Sequence, residues 1–257
     1  MTSNEQPTTS RAVLVTGASR GIGRAIALAF AAQGDRVAVH ANTSRAKAEQ
    51  VLAELPGDGH TLVTADVADP EAIGAAVDQA ADALGGLQVL VNNAAVFTAH
   101  PPLTTNYADW QATWQRTLAV NLLGPANATF RALPHLIAGG GGAVVNVSSR
   151  GAFRGEPNTP AYGASKAGLN AFGQSMAIAL APHGISVGTV APGFVQTEMA
   201  REVLDGPGGE AVRAQSPYGR VARPEEVASA VLWLASPGAR FSTGTIIDVN
   251  GASYLRS

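Results

Sequence analysis

Tyr162 and Lys166 are the residues of this chain best suited to moving a proton. They stand four apart in Tyr162-Gly-Ala-Ser-Lys166, in a chain with fifteen arginines and two lysines. That spacing puts phenol and ammonium on one helix face, a turn apart. A phenol titrates near pH ~10, too high for acid–base work at neutrality, and a nearby cation favours the phenolate. An ammonium is also a compact charge that can bind sugar hydroxyls and join a proton relay, which a guanidinium fork does less well. Taken alone, the same pair would also suit an ordinary surface helix.

A second pattern lies near the N-terminus. Ala12-Val-Leu-Val-Thr16 runs into Gly17-Ala-Ser19-Arg20-Gly21-Ile22-Gly23, and Arg24 to Phe30 continue as a helix that stops at Gly34. In a strand, glycine turn and helix of this kind the backbone can approach a pyrophosphate, and the positive helix end attracts it. The spacing GxxxGxG departs from the usual GxGxxG.

Seven short β-rich runs alternate with Ala-rich stretches of helical length. The runs are 12–16, 36–40, 61–64, 89–91, 143–147, 186–190 and 245–249. Strands separated by helices imply crossover units and a parallel sheet, and continuous apolar runs imply burial on both faces. The expectation is a doubly wound α/β fold of about seven strands with helices on both faces. Gly139 to Gly142 read as a helix stop before the fifth strand.

At 257 residues, 46% hydrophobic and 14% charged, the chain suits one soluble domain over residues 11–257. A net charge of −2 without a basic run argues against nucleic acid. With no cysteine, thiol nucleophiles, disulfides and thiolate metal sites are excluded, and no metal site is expected. Residues 1–10 are polar and read as a disordered leader. No stretch of ~18 apolar residues follows, so no membrane span and a cytoplasmic location are expected.

Several motifs now stand in order: the glycine turn from Thr16, Asp66-Val67 after the third strand, Asn92-Asn93-Ala94-Ala95 after the fourth, Asn121, Ser149, Tyr162 with Lys166, then Pro192-Gly193 and Thr197. On these the chain resembles the short-chain dehydrogenase/reductase family over nearly its whole length. The resemblance implies a single-domain Rossmann-type fold, a nicotinamide cofactor, and hydride transfer between it and a carbonyl or alcohol carbon. It implies that Tyr162 is the acid in reduction, and that Ser149, thirteen residues upstream, hydrogen-bonds the carbonyl oxygen. Ser148 is its rival, and the offset favours Ser149. Lys166 would hold the nicotinamide ribose and lower the tyrosine pKa, and Asn121 would hold a water linking the lysine to solvent, unless it merely caps a bend. Asp66 would accept from the adenine amino group, with Val67 near the ring. Asn93, Ala94 and Ala95 would line the adenosine side, and Pro192, Gly193, Val195 and Thr197 the nicotinamide side. Two positions depart from the family pattern, Ala95 for a glycine and Gly188 for an asparagine.

An acid at the end of the second strand would bind the ribose of NAD and repel a 2′-phosphate. This strand ends at His40-Ala41-Asn42-Thr43-Ser44-Arg45 without one, and Asp35 lies at the other end. Arg20 suits a phosphate oxygen pair, and Arg45 either joins it or is solvated. Asn42 and Ser44 complete this region, and NADP(H) is expected over NAD(H).

The substrate wall is expected from loops. Phe97, Phe153, Phe194 and Met199 are apolar enough to line a pocket, and core packing is a comparable reading for each. Residues 194–213 read as a helical lid. Arg150 and Arg154 could grip an anion, although loop arginines are more often solvated. The expected function is NADPH-dependent reduction of a ketone or aldehyde. The alternatives are an alcohol dehydrogenase, a β-ketoacyl-ACP reductase and, in another class, a non-catalytic NADP(H)-binding sensor. The segments 137–142 and 177–183 lack the basic patch that an acidic carrier protein would need. The partners expected are a small carbonyl or alcohol and other copies of the chain, since the resemblance implies a homotetramer.

Overall fold

A computed structural model of the chain describes residues 10–256. All but the last residue of the expected leader over residues 1–10 lies outside the described residues. Strands and helices alternate from the start: β1 (Ala12–Val15), α1 (Gly21–Ala32), β2 (Arg36–Ala41), α2 (Arg45–Glu54), β3 (Thr61–Thr64), α3 (Pro70–Leu84) and β4 (Val89–Asn92). The second half continues with α4 (Tyr107–Leu118), α5 (Gly124–Ala138), β5 (Gly142–Val147), α6 (Pro160–Leu180), β6 (Ile185–Pro192), α7 (Glu198–Asp205), α8 (Gly209–Ala214), α9 (Pro224–Leu234) and β7 (Ile246–Val249). The seven strands form one parallel sheet in the order β3-β2-β1-β4-β5-β6-β7.

The centre of the sheet is buried on both sides because β1, β4, β5 and β6 are largely apolar, and the pleat sends alternate residues to opposite faces, whereas the edge strands β3 and β7 are partly exposed. Val13, Val15, Val37, Val39, Val89, Val91 and Val145 meet Ile26, Phe30, Val51, Val227 and Val231 on one face. Leu14, Ala38, Leu90 and Val144 meet Ile73, Val77, Leu84, Ala128, Leu136 and Ala177 on the other. Local signals set the helix ends. Asp69 caps α3 by accepting from the N–H groups of Glu71 and Ala72, Pro70 opens the helix, and Gly85 closes it in the left-handed conformation. Gly188 is explained by packing: a Cβ there would lie 2.7 Å from the Leu234 side chain, so α9 fills the space an asparagine would need. Among the described residues no helix is long and apolar enough to cross a membrane.

Candidate active site

Parallel strands bring their carboxyl ends to one edge, and the strand order reverses between β1 and β4. A crevice is expected at such a reversal. A cleft of about 460 Å³ opens there.

Its floor begins with the turn between β1 and α1, where Gly17, Ser19, Arg20, Gly21, Ile22 and Gly23 all face the cleft. Gly17 and Gly21 have φ of 65° and 55°. A Cβ on Gly23 would lie 2.3 Å from the Gly17 carbonyl oxygen and 2.5 Å from Asn93 Nδ2. Thr16 Oγ1 accepts from the N–H groups of Asn93 and Ala94 at 2.9 and 3.1 Å, and Asn93 Nδ2 donates to the carbonyls of Thr16 and Gly17. His40 Nδ1 accepts from the Gly17 N–H at 3.1 Å. Burial pushes the His40 pKa down to about 4, so this ring stays neutral and keeps its acceptor. A bare-backbone cradle at a helix N-terminus fits the pyrophosphate of a dinucleotide.

Next along the cleft stand Asn42 and Ser44, then Asp66 and Val67, then Ala94 and Ala95 beside Asn93. Asn92 does not line it. This residue is buried and donates to Thr129 Oγ1 and Asn146 Oδ1 at 3.1 and 2.9 Å. Asp66 is gripped by Arg116 at 2.8 and 3.2 Å and accepts from the Ala68 N–H. Burial pushes its pKa up, but these donors, with Asn42, outweigh it and hold the carboxyl below its ordinary value.

Arg45 departs from expectation: its side chain turns along its own helix, with Nε 2.9 Å from Glu49 Oε1. The basic residue of α2 that reaches a cleft-lining side chain is Lys47, which pairs with Glu198. Lys47 Nζ and Arg20 Nη1 share Glu198 Oε2, at 3.0 and 3.2 Å. They hold the Glu198 carboxyl below its ordinary pKa, Lys47 foremost. The sequence has no acid after β2, yet α7 brings one there in space. Asp35 is ion-paired to Arg11 at the opposite edge.

At the far end Ser149, Tyr162 and Lys166 line one wall. Ser149 ends the extended chain after β5, and its Oγ accepts from the Gly151 N–H at 3.0 Å. Ser148 Oγ turns the other way and donates to the Lys166 carbonyl at 3.3 Å. The start of α6 is fixed by His100, whose Nε2 accepts from the Ala161 N–H at 3.2 Å. Lys166 is buried, its Nζ donating to the Val147 carbonyl at 2.8 Å and standing 5.8 Å from the Tyr162 ring centroid. Burial pushes the Lys166 ammonium down to about 8. Burial also pushes the Tyr162 phenol up, the Ser149 hydroxyl bonds it and works against that, and Glu156 adds to the rise. The influence that opposes burial here comes from Ser149, not from Lys166.

Asn121 sits in a π-helical turn, Ala119–Leu123. Its Oδ1 accepts from the Val96 N–H at 2.9 Å, and its Nδ2 donates to the Val96 carbonyl and Ser165 Oγ at 3.0 and 3.2 Å. The side chain thus splices the loop after β4 to α6 and does not touch Lys166.

Pro192, Gly193, Phe194, Val195, Thr197 and Met199 line the remaining side, with Phe97 opposite, its ring edge-on to Tyr162 at 4.9 Å. Phe153 does not line the cleft. Its ring carries the Arg256 guanidinium at 4.4 Å, and its carbonyl accepts from the Tyr254 hydroxyl, which holds it against the C-terminal segment. Residues 194–213 contain α7 and most of α8, broken at Gly206 to Gly208, and Met199, Ala200 and Val203 of α7 face the cleft.

A family model described as Enoyl-(Acyl carrier protein) reductase matches residues 17–252. The 3-oxoacyl-[acyl-carrier-protein] reductase FabG of Staphylococcus aureus is 36% identical over 248 residues, covering 96% of this chain and 99% of the relative. The cis-4-hydroxycyclohexanecarboxylate dehydrogenase of Sinomonas cyclohexanicum is 39% identical over 243 residues, covering 94% and 95%. A short chain dehydrogenase from Burkholderia cenocepacia, solved in complex with NADP, superposes with a TM-score of 0.84 at 35% identity, covering 95% of this chain and 97% of that one. With this sheet, cleft and set of relatives, the chain belongs to the short-chain dehydrogenase/reductase family of NAD(P)-dependent oxidoreductases that interconvert carbonyl and alcohol groups.

Proposed function

We propose that the protein is an NADP(H)-dependent carbonyl reductase in which Tyr162 protonates the oxygen of a ketone or aldehyde. The observation that carries this reading is the convergence of the Ser149 and Tyr162 hydroxyls, beside Lys166, on one wall of the cleft. A nicotinamide cofactor, when bound, supplies the hydride to the carbonyl carbon. Ser149 donates to the carbonyl oxygen as negative charge develops on it, and Tyr162 gives that oxygen its proton. Lys166 holds the ribose hydroxyls and replaces the tyrosine proton. The side chain of Asn121 is committed to Val96 and Ser165, so it positions the loop after β4 against α6 rather than holding the relay water.

The glycine cradle receives the pyrophosphate, Asn42 and Ser44 flank the adenosine ribose, and Asp66 with Val67 meets the adenine. Arg20 and Lys47 favour a 2′-phosphate, which supports NADP(H) over NAD(H), as does the NADP bound by the Burkholderia cenocepacia neighbour. Pro192, Gly193, Val195 and Thr197 hold the nicotinamide, and residues 194–213 close over it. Exposed Phe130 and Ile178, on α5 and α6, support burial of both helices in a homotetramer.

The Staphylococcus aureus relative acts on a carrier-linked 3-oxoacyl group, but the segments 137–142 and 177–183 carry no Arg or Lys to meet an acidic carrier. We therefore favour a free carbonyl compound. The test is NADPH oxidation with ketones, aldehydes, diketones, quinones and β-ketoacyl thioesters, NADH and Tyr162→Phe run alongside. Turnover lost in the variant supports the reductase. Tight NADPH binding with silence across the panel would favour a sensor, and faster oxidation of alcohols with NAD would favour a dehydrogenase.

A further inference from the structure

Arg150 is the residue that the proposed chemistry leaves unused. It follows Ser149 directly, its side chain is 4% exposed, and it lines both the main cleft and an adjoining cavity of about 180 Å³. An arginine stays protonated, and burying its charge is costly unless an anion or several hydrogen bonds compensate it. Here Nη1 donates to Ser253 Oγ at 2.8 Å, the guanidinium lies 5.0 Å from the Phe194 ring centroid, and no carboxylate pairs with it among the described residues. The acids nearest the adjoining cavity are spoken for: Glu226 is paired with Arg220, and Asp248 with Arg256. Burial pushes the Arg150 pKa down, Arg154 adds to that, and Glu156 opposes it as the smallest of the three influences.

Glu156 lines the same substrate space and acts electrostatically on Tyr162 as well as on Arg150. It lines the cleft without a hydrogen-bond partner for its carboxylate among the described residues. A Cβ built on Gly151 would stand 3.3 Å from Glu156 Cγ, 3.3 Å from Ser149 Oγ and 3.7 Å from Tyr162 Cε1. The Glu156 side chain therefore surrounds Gly151 together with Ser149 and Tyr162, and its charge disfavours a carboxylate attached directly to the reacting carbon.

We infer that the substrate is a keto acid whose carboxylate is remote from its carbonyl, with the carbonyl at Ser149 and Tyr162 and the carboxylate on the Arg150 guanidinium. A carboxylate matches the guanidinium fork and compensates the buried charge. Phe194 holds the fork's face, and Ser253 fixes one of its nitrogens. This rests on the reductase reading above and adds the substrate class to it.

The test compares NADPH-dependent kcat/KM for a ring-substituted cyclohexanone carboxylate, its methyl ester and pyruvate, in the wild type, Arg150→Met and Arg150→Lys, with thermal melts of each. The wild type should prefer the acid to the ester by about tenfold or more, as a charge-assisted pair implies, and should reduce pyruvate poorly. The preference should collapse in Arg150→Met and return in part in Arg150→Lys. A wild type that reduces the ester as well as the acid overturns the inference and leaves the reductase reading intact, even if the variants do not fold. A preference that survives Arg150→Met, with a lowered melting temperature, also overturns it and makes Arg150 a tie to Ser253. Silence with every carbonyl, the ester included, removes the reductase reading and this inference together.

Discussion

Lys166 Nζ and the Val147 carbonyl oxygen are 2.8 Å apart, so the buried lysine of α6 is tied to the last residue of β5. That bond holds the ammonium in the wall of the cleft, where water cannot stabilise its charge. Burial accordingly brings its pKa down to about 8.

For a base, a lowered pKa means that the cation is present below about pH 8 and lost above it. The Tyr162 phenol, raised by burial, remains protonated through the same range. Thus kcat/KM for NADPH, which reports the free enzyme, should fall as pH rises through 8, approaching a tenfold loss per unit. A pH–rate profile measures this, and a profile flat to about pH 9.5 would show that burial does not lower the Lys166 ammonium as far as this.

Tyr162→Phe and Ser149→Ala remove the two hydroxyls assigned to the carbonyl oxygen. Each should cost about 10²- to 10³-fold in kcat while the Kd for NADPH changes little. Single-turnover kinetics and cofactor fluorescence separate the two effects. A loss confined to Kd would place these residues in binding alone.

Glu198→Gln removes the carboxylate that Arg20 and Lys47 now share. The affinity for NADPH should rise relative to NADH, by about two- to fivefold, because exposed ion pairs are weak. Lys47→Gln should shift the ratio the other way, and Ala41→Asp should reverse the preference outright by placing an acid at the end of β2. Equilibrium titrations of both cofactors decide it, and a ratio unmoved by all three changes would leave the NADP(H) reading without support.

Asn121→Ala leaves the Val96 N–H and carbonyl without the side-chain bonds that hold them. The expected cost is about 2–4 kcal/mol, or roughly 5–15 °C in Tm. A thermal melt within about 2 °C of wild type would show that the splice contributes little to stability.

All seven strands were legible because burial at the centre of the sheet demands largely apolar, β-branched runs, and even the partly exposed edge strands β3 and β7 keep enough of that pattern to stand out between Ala-rich helices. Tyr162, Lys166, Ser149 and the glycine turn were legible for a related reason: each sits at the end of a strand or on a helix face, where spacing along the chain translates directly into spacing in the cleft. Contacts made across the chain were hidden. Glu198 and Lys47 are 151 positions apart, and nothing local to either announces that α7 crosses to α2. Phe153 resembled a pocket residue by type, yet Arg256 and Tyr254 from the C-terminal segment claim it. His40 looked like a strand residue, and its role as acceptor for the Gly17 N–H depends on two strand ends meeting.

The chain divides its work along its length. The dinucleotide cradle is drawn from the first 95 residues, through the ends of β1, β2, β3 and β4, whereas Ser149, Tyr162 and Lys166 follow within one short stretch around β5 and α6. The loop carrying Arg150 and Glu156 and the segment carrying α7 and α8 lie outside the sheet. Of the two, only the loop carrying Arg150 and Glu156 stands clear of the residues proposed for the cofactor, since Glu198 of α7 is tied to Arg20 and Lys47, so this loop is the segment to exchange when new selectivity is sought on this scaffold.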